Sequence, residues 1–282
     1  MTNTPESSSP ATPSNGSTEH DGSGVSPSST PLLQLKKVTR SFGAVQALKY
    51  VDLEVPAGKV TALIGDNGAG KSTLIKAIAG IYTPTSGDIL WNGSVVHIHS
   101  PHDAEQLGIA TVYQDLALCD NLDVVENMFL GHEEMRYSTL DEIKMELAAK
   151  KTLADLSVTT VKSVRQKVAS LSGGQRQSVA VAKAVMRESK LVILDEPTAA
   201  LGVSQTAQVL ELIHALAGRG IAVLLISHNL NDVFAVADRI AVMHLGTLVS
   251  SGPVSDYDAS SAVDLITTGE SARSVSTVAQ TS

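Results

Sequence analysis

Residues 60–74, VTALIGDNGAGKSTL, limit what this chain can fold into more than any other stretch. Val60–Ile64 is short, apolar and rich in β-branched residues, the pattern of a strand buried on both faces of a parallel sheet. Gly65, Asp66, Asn67, Gly68, Ala69, Gly70, Lys71 and Ser72 then satisfy G-x-x-x-x-G-K-[ST] at every position. Thr73 follows, and Leu74–Ala79 continues with helical character, so the loop joins a strand end to a helix N-terminus. Such a junction suits a triphosphate. Glycines let backbone N–H groups converge on one anion, and the helix end adds partial positive charge. Lys71 can reach the outer phosphates, and the Ser72 hydroxyl is placed to ligate Mg²⁺. By itself the loop says only that a nucleoside triphosphate binds.

Upstream, Leu33–Thr39 and Ala47–Val55 alternate apolar and polar residues, as half-buried strands do. Between them, Phe42 is either a packing residue or an aromatic face for a nucleobase. Tyr82–Gly87 reads as a turn, and Asp88–Trp91 with Val95–Ile98 reads as a hairpin around Asn92-Gly93. His97, His99 and His102 raise a metal site, but no cysteine or carboxylate pattern supports one. Ile109–Tyr113 is another strand, ending at Gln114. Asp123–Leu130, Thr139–Leu156 and Gly173–Arg187 have helical spacing and form a helical insert. Lys190–Leu194 and Ile221–Ile226 return to buried strands, with a helix over Ser204–Ala217 between them and a hairpin over Arg239–Ser251 after them. This alternation predicts a mostly parallel sheet covered by helices.

Composition narrows the class. The chain of 282 residues is 43% hydrophobic but 3% aromatic, so its core must be aliphatic. A formal net charge of −8 argues against a nucleic-acid-binding surface. No apolar run approaches the roughly 18 residues of a membrane span, and no basic residue or apolar core of a secretory signal precedes Lys36. The lone Cys119 cannot form an intramolecular disulfide and fits a reducing compartment. Met1–Pro31, rich in Ser, Thr, Pro and Gly, has too little to bury to order itself. A cytoplasmic protein with an unstructured leader is expected.

The strand over Lys190–Leu194 runs into Asp195-Glu196-Pro197. An Asp at a strand end facing a phosphate loop commonly holds Mg²⁺, and an adjacent Glu can orient or deprotonate water. Leu171-Ser172-Gly173-Gly174-Gln175 lies ahead of this pair and resembles the signature motif of the ATP-binding cassette family. The resemblance covers nearly all of Leu32–Ser251. It implies α/β architecture: a P-loop NTPase core with a mostly parallel sheet, an N-terminal antiparallel β subdomain and an inserted helical subdomain at about 115–187. Residues 1–31 would be a tail, 32–251 the ATPase domain, and 252–282 a partly disordered extension.

The resemblance also implies roles. Phe42 matches the adenine-stacking aromatic, which favours stacking over packing. Gly65–Thr73 would cradle phosphate; Ser72, Gln114 and Asp195 would hold Mg²⁺; Glu196, His228 and Gln114 would be catalytic. Ser172, Gly173, Gly174 and Gln175 would close over ATP held by a second copy of the chain. VYQDLALCDNLDVVENMFLG, TAALGV and ISHNLNDVFAVADRI are similar to ATPases of monosaccharide importers of ribose, xylose or fructose type. The implied partners are a second copy, membrane permease subunits at the inner face of the cell membrane and, indirectly, a sugar-binding protein. Two other classes compete: a cassette ATPase acting on ribosomes or DNA, and a module that closes on ATP without turnover. The single cassette, acidic charge and short helical insert oppose the first; Glu196 and His228 oppose the second.

The chain departs from the family pattern at one position. Ala199-Ala200-Leu201 is followed by Gly202 where an aspartate is usual. A glycine there frees the backbone for positive φ and close approach, so an aspartate is expected to impair closure.

Overall fold

The computed structural model describes residues 30–270. The expected tail, apart from Thr30 and Pro31, and the last part of the C-terminal extension lie outside the described residues. The chain opens with β1 (Leu33–Phe42) and β2 (Val45–Val55), then β3 (Val60–Gly65), the phosphate loop and α1 (Lys71–Ile78). Next come β4 (Ser86–Trp91), β5 (Ser94–Val96), α2 (Pro101–Gln106) and β6 (Ile109–Val112). The insert holds α3 (Val124–Phe129), a small hairpin of β7 (Met135–Arg136) and β8 (Thr139–Leu140), and α4 (Glu142–Asp155). Then follow α5 (Gly173–Val185), β9 (Leu191–Asp195), α6 (Val203–Gly218), β10 (Ala222–Ile226) and α7 (Leu230–Val236). The described chain closes with β11 (Arg239–His244), β12 (Thr247–Pro253) and α8 (Ala259–Thr268).

Two sheets form. An antiparallel sheet has the order β2-β1-β4-β5, and a six-stranded sheet runs β12-β11-β3-β10-β9-β6. In the latter every pairing is parallel except β11 with β12. The apolar runs in its central strands follow from burial on both faces. Val60, Ala62 and Ile64 of β3, Val192 and Leu194 of β9, and Val223 and Leu225 of β10 face one core, shared with α3–α6. Leu63, Leu191, Ile193, Leu224 and Ile226 alternate onto a second core, shared with α1 and the antiparallel sheet. The sheet is therefore the middle layer of the fold.

Parallel register sets the functional edge. Leu63 pairs with Ile226, Ile226 with Asp195, and Leu194 with Val112. The ends of β3, β10, β9 and β6 are thus level. The phosphate loop, His228, Asp195-Glu196 and Gln114 all leave the sheet at its carboxyl edge, where ligands of open α/β sheets bind.

Several expected boundaries move. The predicted hairpin strand at Val95–Ile98 is Ser94–Val96, and the helix expected from Thr139 starts at Glu142, because Thr139-Leu140 pairs with Met135-Arg136. Three helices had no counterpart in the sequence reading: α2, α7 and α8. The extension after Ser251 is folded as far as α8, whose Ala262 and Leu265 are buried and whose Ile266 carbonyl lies 2.9 Å from His244 Nδ1.

Candidate active site

The loop that follows β3 is braced by its own residues and by the β11–β12 turn. Asn67 N–H donates to Asp66 Oδ1 at 2.7 Å, Ala69 N–H to the Asp66 carbonyl at 3.1 Å, and Gly246 N–H to the Ala69 carbonyl at 3.0 Å. Gly70 has φ +102°, and a Cβ there would stand 2.8 Å from the Ala47 carbonyl oxygen, so β2 backs directly onto the loop. A Cβ on Gly65 would lie 2.4 Å from the Met243 carbonyl oxygen. Neither position has room for a side chain.

The amides at the start of α1 are the test of an anion site. The first turn of a helix leaves its N–H groups without intrahelical acceptors. At α2, α3, α4, α5, α7 and α8 a Ser, Asp or Asn side chain caps that end. At α1 the N-cap is Gly70 and no side chain does so. The amides of Lys71, Ser72 and Thr73 are left for a ligand, and the fit to a phosphate is good. Gly68, Asp66, Asn67 and Ser72 are exposed around them.

Lys71 is half-buried, and its ammonium donates to the carbonyls of Gly65 at 2.7 Å and Asp66 at 3.0 Å. Burial pulls its pKa down, against the attraction of Glu196, Asp66 and Asp195. Asp195 sits opposite. Burial first, and Glu196 second, push its carboxyl above the usual range, while Lys71 and Lys76 pull it back. A divalent cation between Ser72 and Asp195 would relieve that strain. Such a cation suits a donor set of carboxylate, hydroxyl and amide oxygens.

Glu196 is the first residue past β9. Its N–H extends the sheet by donating to the Ile226 carbonyl at 3.0 Å. It then adopts φ +51°, an uncommon conformation for a residue with a side chain. This turns the carboxylate toward β10, where Glu196 Oε2 lies 2.7 Å from His228 Nδ1. The Glu196 side chain is 16% exposed and that of His228 73%, so the imidazole shields the carboxylate from one side. Gln114 is exposed two residues beyond β6, with Tyr113 beside it. Burial, together with Asp195, raises the Tyr113 phenol.

Not all the expected residues meet here. Phe42 lies at the tip of the β1–β2 hairpin, 41% exposed. Ser172, Gly173, Gly174 and Gln175 begin α5, and their neighbours are elsewhere. Ser172 and Gln175 cap the helix reciprocally, and Gln175 Nε2 also donates to the Thr160 carbonyl at 2.6 Å. A Cβ on Gly173 would lie 2.9 Å from Leu201, and one on Gly174 3.0 Å from Gln205 Cβ. The two glycines thus let α5 pack against the start of α6. Ser172 and Gly173 remain exposed.

Gly202 does not have the geometry expected of it. Its φ and ψ are −75° and 163°, ordinary extended backbone, and a Cβ there would meet nothing within 4 Å. Ala200, two residues earlier, takes the left-handed conformation at φ +61°, as Glu196 does at the start of the loop. Gly202 is instead the N-cap of α6. The expectation of a positive φ at Gly202 is corrected accordingly.

The histidines at 97–102 are engaged locally. His97 and His99 stack at 6.0 Å, and His102 Nε2 lies 3.0 Å from Gln106 Nε2. Among the described residues no three His, Cys, Asp or Glu side chains converge as a metal site. Two supporting residues escaped the sequence reading. Thr198 donates to the buried Asp232 at 2.6 Å, tying the turn after Glu196 to α7, and Tyr82 packs on Phe42. Nothing local marks Asp232, whose partner is 34 residues away.

The model of the ABC transporter family matches residues 48–199, more than half of the chain. The chain belongs to the ABC transporter family. The cassette is 45% identical to the fructose import ATP-binding protein of Rhizobium meliloti over 244 residues, 84% of this chain and 94% of that one. It is 47% identical to the xylose/arabinose import ATP-binding protein of Sulfolobus acidocaldarius over 218 residues, 77% and 86% of the two chains. A ribose import ATP-binding protein of Escherichia coli O157:H7 is 41% identical over 223 residues, 79% of this chain but 44% of that longer one. Among solved structures, an ATP-binding cassette of an ABC transporter superposes with a TM-score of 0.74 at 27% identity, covering 83% of this chain and 96% of its own. A nucleotide-free cassette superposes at 0.71, also at 27% identity, covering 79% and 91%. The cassette binds and hydrolyses ATP. No helix of the described residues is long and apolar enough to cross a membrane.

Proposed function

We propose that this cassette powers import of a monosaccharide through a membrane permease and works as two copies that close over ATP. The observation that carries this reading is a division within one chain. Lys71, Ser72, Asp195, Glu196 and His228 gather at the sheet edge, while Ser172 and Gly173 are exposed on α5 with neighbours in α6. A second copy would bring its exposed helix end to the phosphates bound by the first.

In that arrangement the N–H groups of the phosphate loop and the Lys71 ammonium bind the β- and γ-phosphates. Mg²⁺, held by Ser72, Asp195 and Gln114, would neutralise charge on the phosphate oxygens. Phe42 would stack on the adenine. Glu196 orients a water and takes its proton as the water oxygen attacks the γ-phosphorus; the bond to the bridging oxygen breaks and ADP leaves. His228 Nδ1 meets the Glu196 carboxylate, and with a proton on each ring nitrogen the same ring would donate from Nε2 to the γ-phosphate.

A groove of about 250 Å³ supports a permease partner. Tyr113, Asp115, Ala117, Ala180 and Lys183 line it, between the segment around Gln114 and α5. Burial lowers the Lys183 pKa. A permease helix seated there would press on the Gln114 segment and on the helix whose N-terminus is Gly173, linking transport to closure. The cassette would then lie at the inner face of the membrane. The importer reading follows the functions of the relatives at 41–47% identity. Reconstitution with its permease and binding protein tests it: ATP hydrolysis should rise with a monosaccharide-loaded binding protein. Stimulation by amino acids, peptides or metal ions, with none by sugars, would refute it.

A further inference from the structure

Arg40, Phe42 and Tyr82 form a cluster that the hydrolytic chemistry does not use. The Arg40 guanidinium carbon lies over the Phe42 ring, 4.7 Å from its centroid, and 5.4 Å from that of Tyr82. The two rings stand 5.1 Å apart at 75°. Each member is anchored. Arg40 Nη1 donates to the Thr83 carbonyl at 2.7 Å, and its Nε is buried with no partner among the described residues. Tyr82 N–H donates to the Lys76 carbonyl at 3.0 Å, and the Lys76 ammonium lies 5.7 Å from the Tyr82 centroid. Ser41 N–H donates to Thr85 Oγ1 at 3.2 Å. The tip of the hairpin is thereby tied to the segment that leaves α1.

An exposed phenylalanine at a hairpin tip ordinarily samples several rotamers, and a ligand that stacks on it must fix one of them. Here the guanidinium covers one face of the ring and Tyr82 stands across it, while 41% of Phe42 remains exposed. The ring is set before a ligand arrives, which lowers the ordering cost of stacking. The same strand pair backs the phosphate loop through Ala47 and Gly70, so the platform and the phosphate site share one rigid support.

We propose that Arg40 and Tyr82 are positioning residues that hold Phe42 as a platform for the base of ATP. The proposal rests on the reading of Phe42 as the adenine-stacking aromatic. Calorimetry with ATP and with ribose 5-triphosphate, which has the same phosphates and no base, separates the two ideas. The ratio of the two affinities measures what the base adds. Phe42→Ala should cut that ratio about tenfold, the scale of one stacked base. Arg40→Ala should cut it about fivefold, the scale of a partly buried cation–π contact, with ribose triphosphate affinity unchanged. Arg40→Lys should restore little, because an ammonium lacks the planar face. Tyr82→Phe should keep the ratio and Tyr82→Ala lower it. Equal weakening of both ligands by Arg40→Ala, or an unchanged ratio beside a collapsed one in Phe42→Ala, overturns the positioning role. An unchanged ratio in Phe42→Ala overturns the stacking reading beneath it.

Discussion

Replacing Gly202 by aspartate should stabilise the cassette, and the size of the gain can be worked from its own helices. Gly202 caps α6 with extended backbone and no side chain, and a Cβ there has open space. Its carbonyl already accepts the Gln205 N–H at 3.0 Å, and its N–H lies 3.4 Å from Gln205 Oε1. Three other helices show what an aspartate does in this place. Asp123 accepts from Glu126 N–H at 2.8 Å, Asp141 from Lys144 N–H at 3.0 Å, and Asp258 from Ser261 N–H at 2.7 Å. Relative to glycine, such a cap contributes a few tenths of a kcal/mol, and the charge at the helix end roughly 0.3–1 kcal/mol. Loss of glycine freedom in the unfolded chain adds about 0.4–1 kcal/mol. Together these give roughly 1–2 kcal/mol, a rise in melting temperature of roughly 2–8 °C for a domain of this size. Thermal unfolding of nucleotide-free protein at neutral pH reads it. A melting temperature that stays level or falls would refute the account of Gly202 as an open, uncapped helix start.

The chemistry makes further predictions. Glu196→Gln should abolish steady-state hydrolysis while ATP still binds, since the amide keeps the shape and loses the base; wild-type turnover would remove Glu196 from its role. Lys71→Ala should weaken ATP binding at least tenfold in a titration, because a charge-assisted contact to phosphate is lost, and unchanged affinity would contradict this. Asp195→Asn should raise the melting temperature at neutral pH. The folded-state pKa of Asp195 is raised by burial and Glu196, so its ionised form costs stability above that pKa. The gain should fade as pH falls through the Asp195 titration, and a mutant less stable at neutral pH would contradict the sign.

The sheet edge was legible because its chemistry is written in contiguous residues. A β-branched run, a glycine loop and a lysine at the start of a helix report one local geometry, and Asp195-Glu196 follows a run of the same kind. Strand order was not legible: β3 lies between β10 and β11, strands that follow it by well over a hundred residues. The helix α2 buries only Ala104 among its six residues, so no apolar face marks it, whereas α3, of the same length, buries five. Gly202 misled because glycine permits positive φ without requiring it, and the neighbouring Ala200 takes that conformation instead. Tyr82 lies in a stretch that reads as a turn, and only the folded hairpin brings Phe42 and Arg40 to it.

Joining of two cassettes by ATP is the central claim, and the mass of the Glu196→Gln protein in solution tests it most directly. Sedimentation with and without saturating MgATP should show one chain without nucleotide and two chains with it, at one ATP per chain. In that state, Ser172 and Gly173 of each copy would cover the phosphates on the other. A particle that holds ATP yet keeps the mass of a single chain would contradict it.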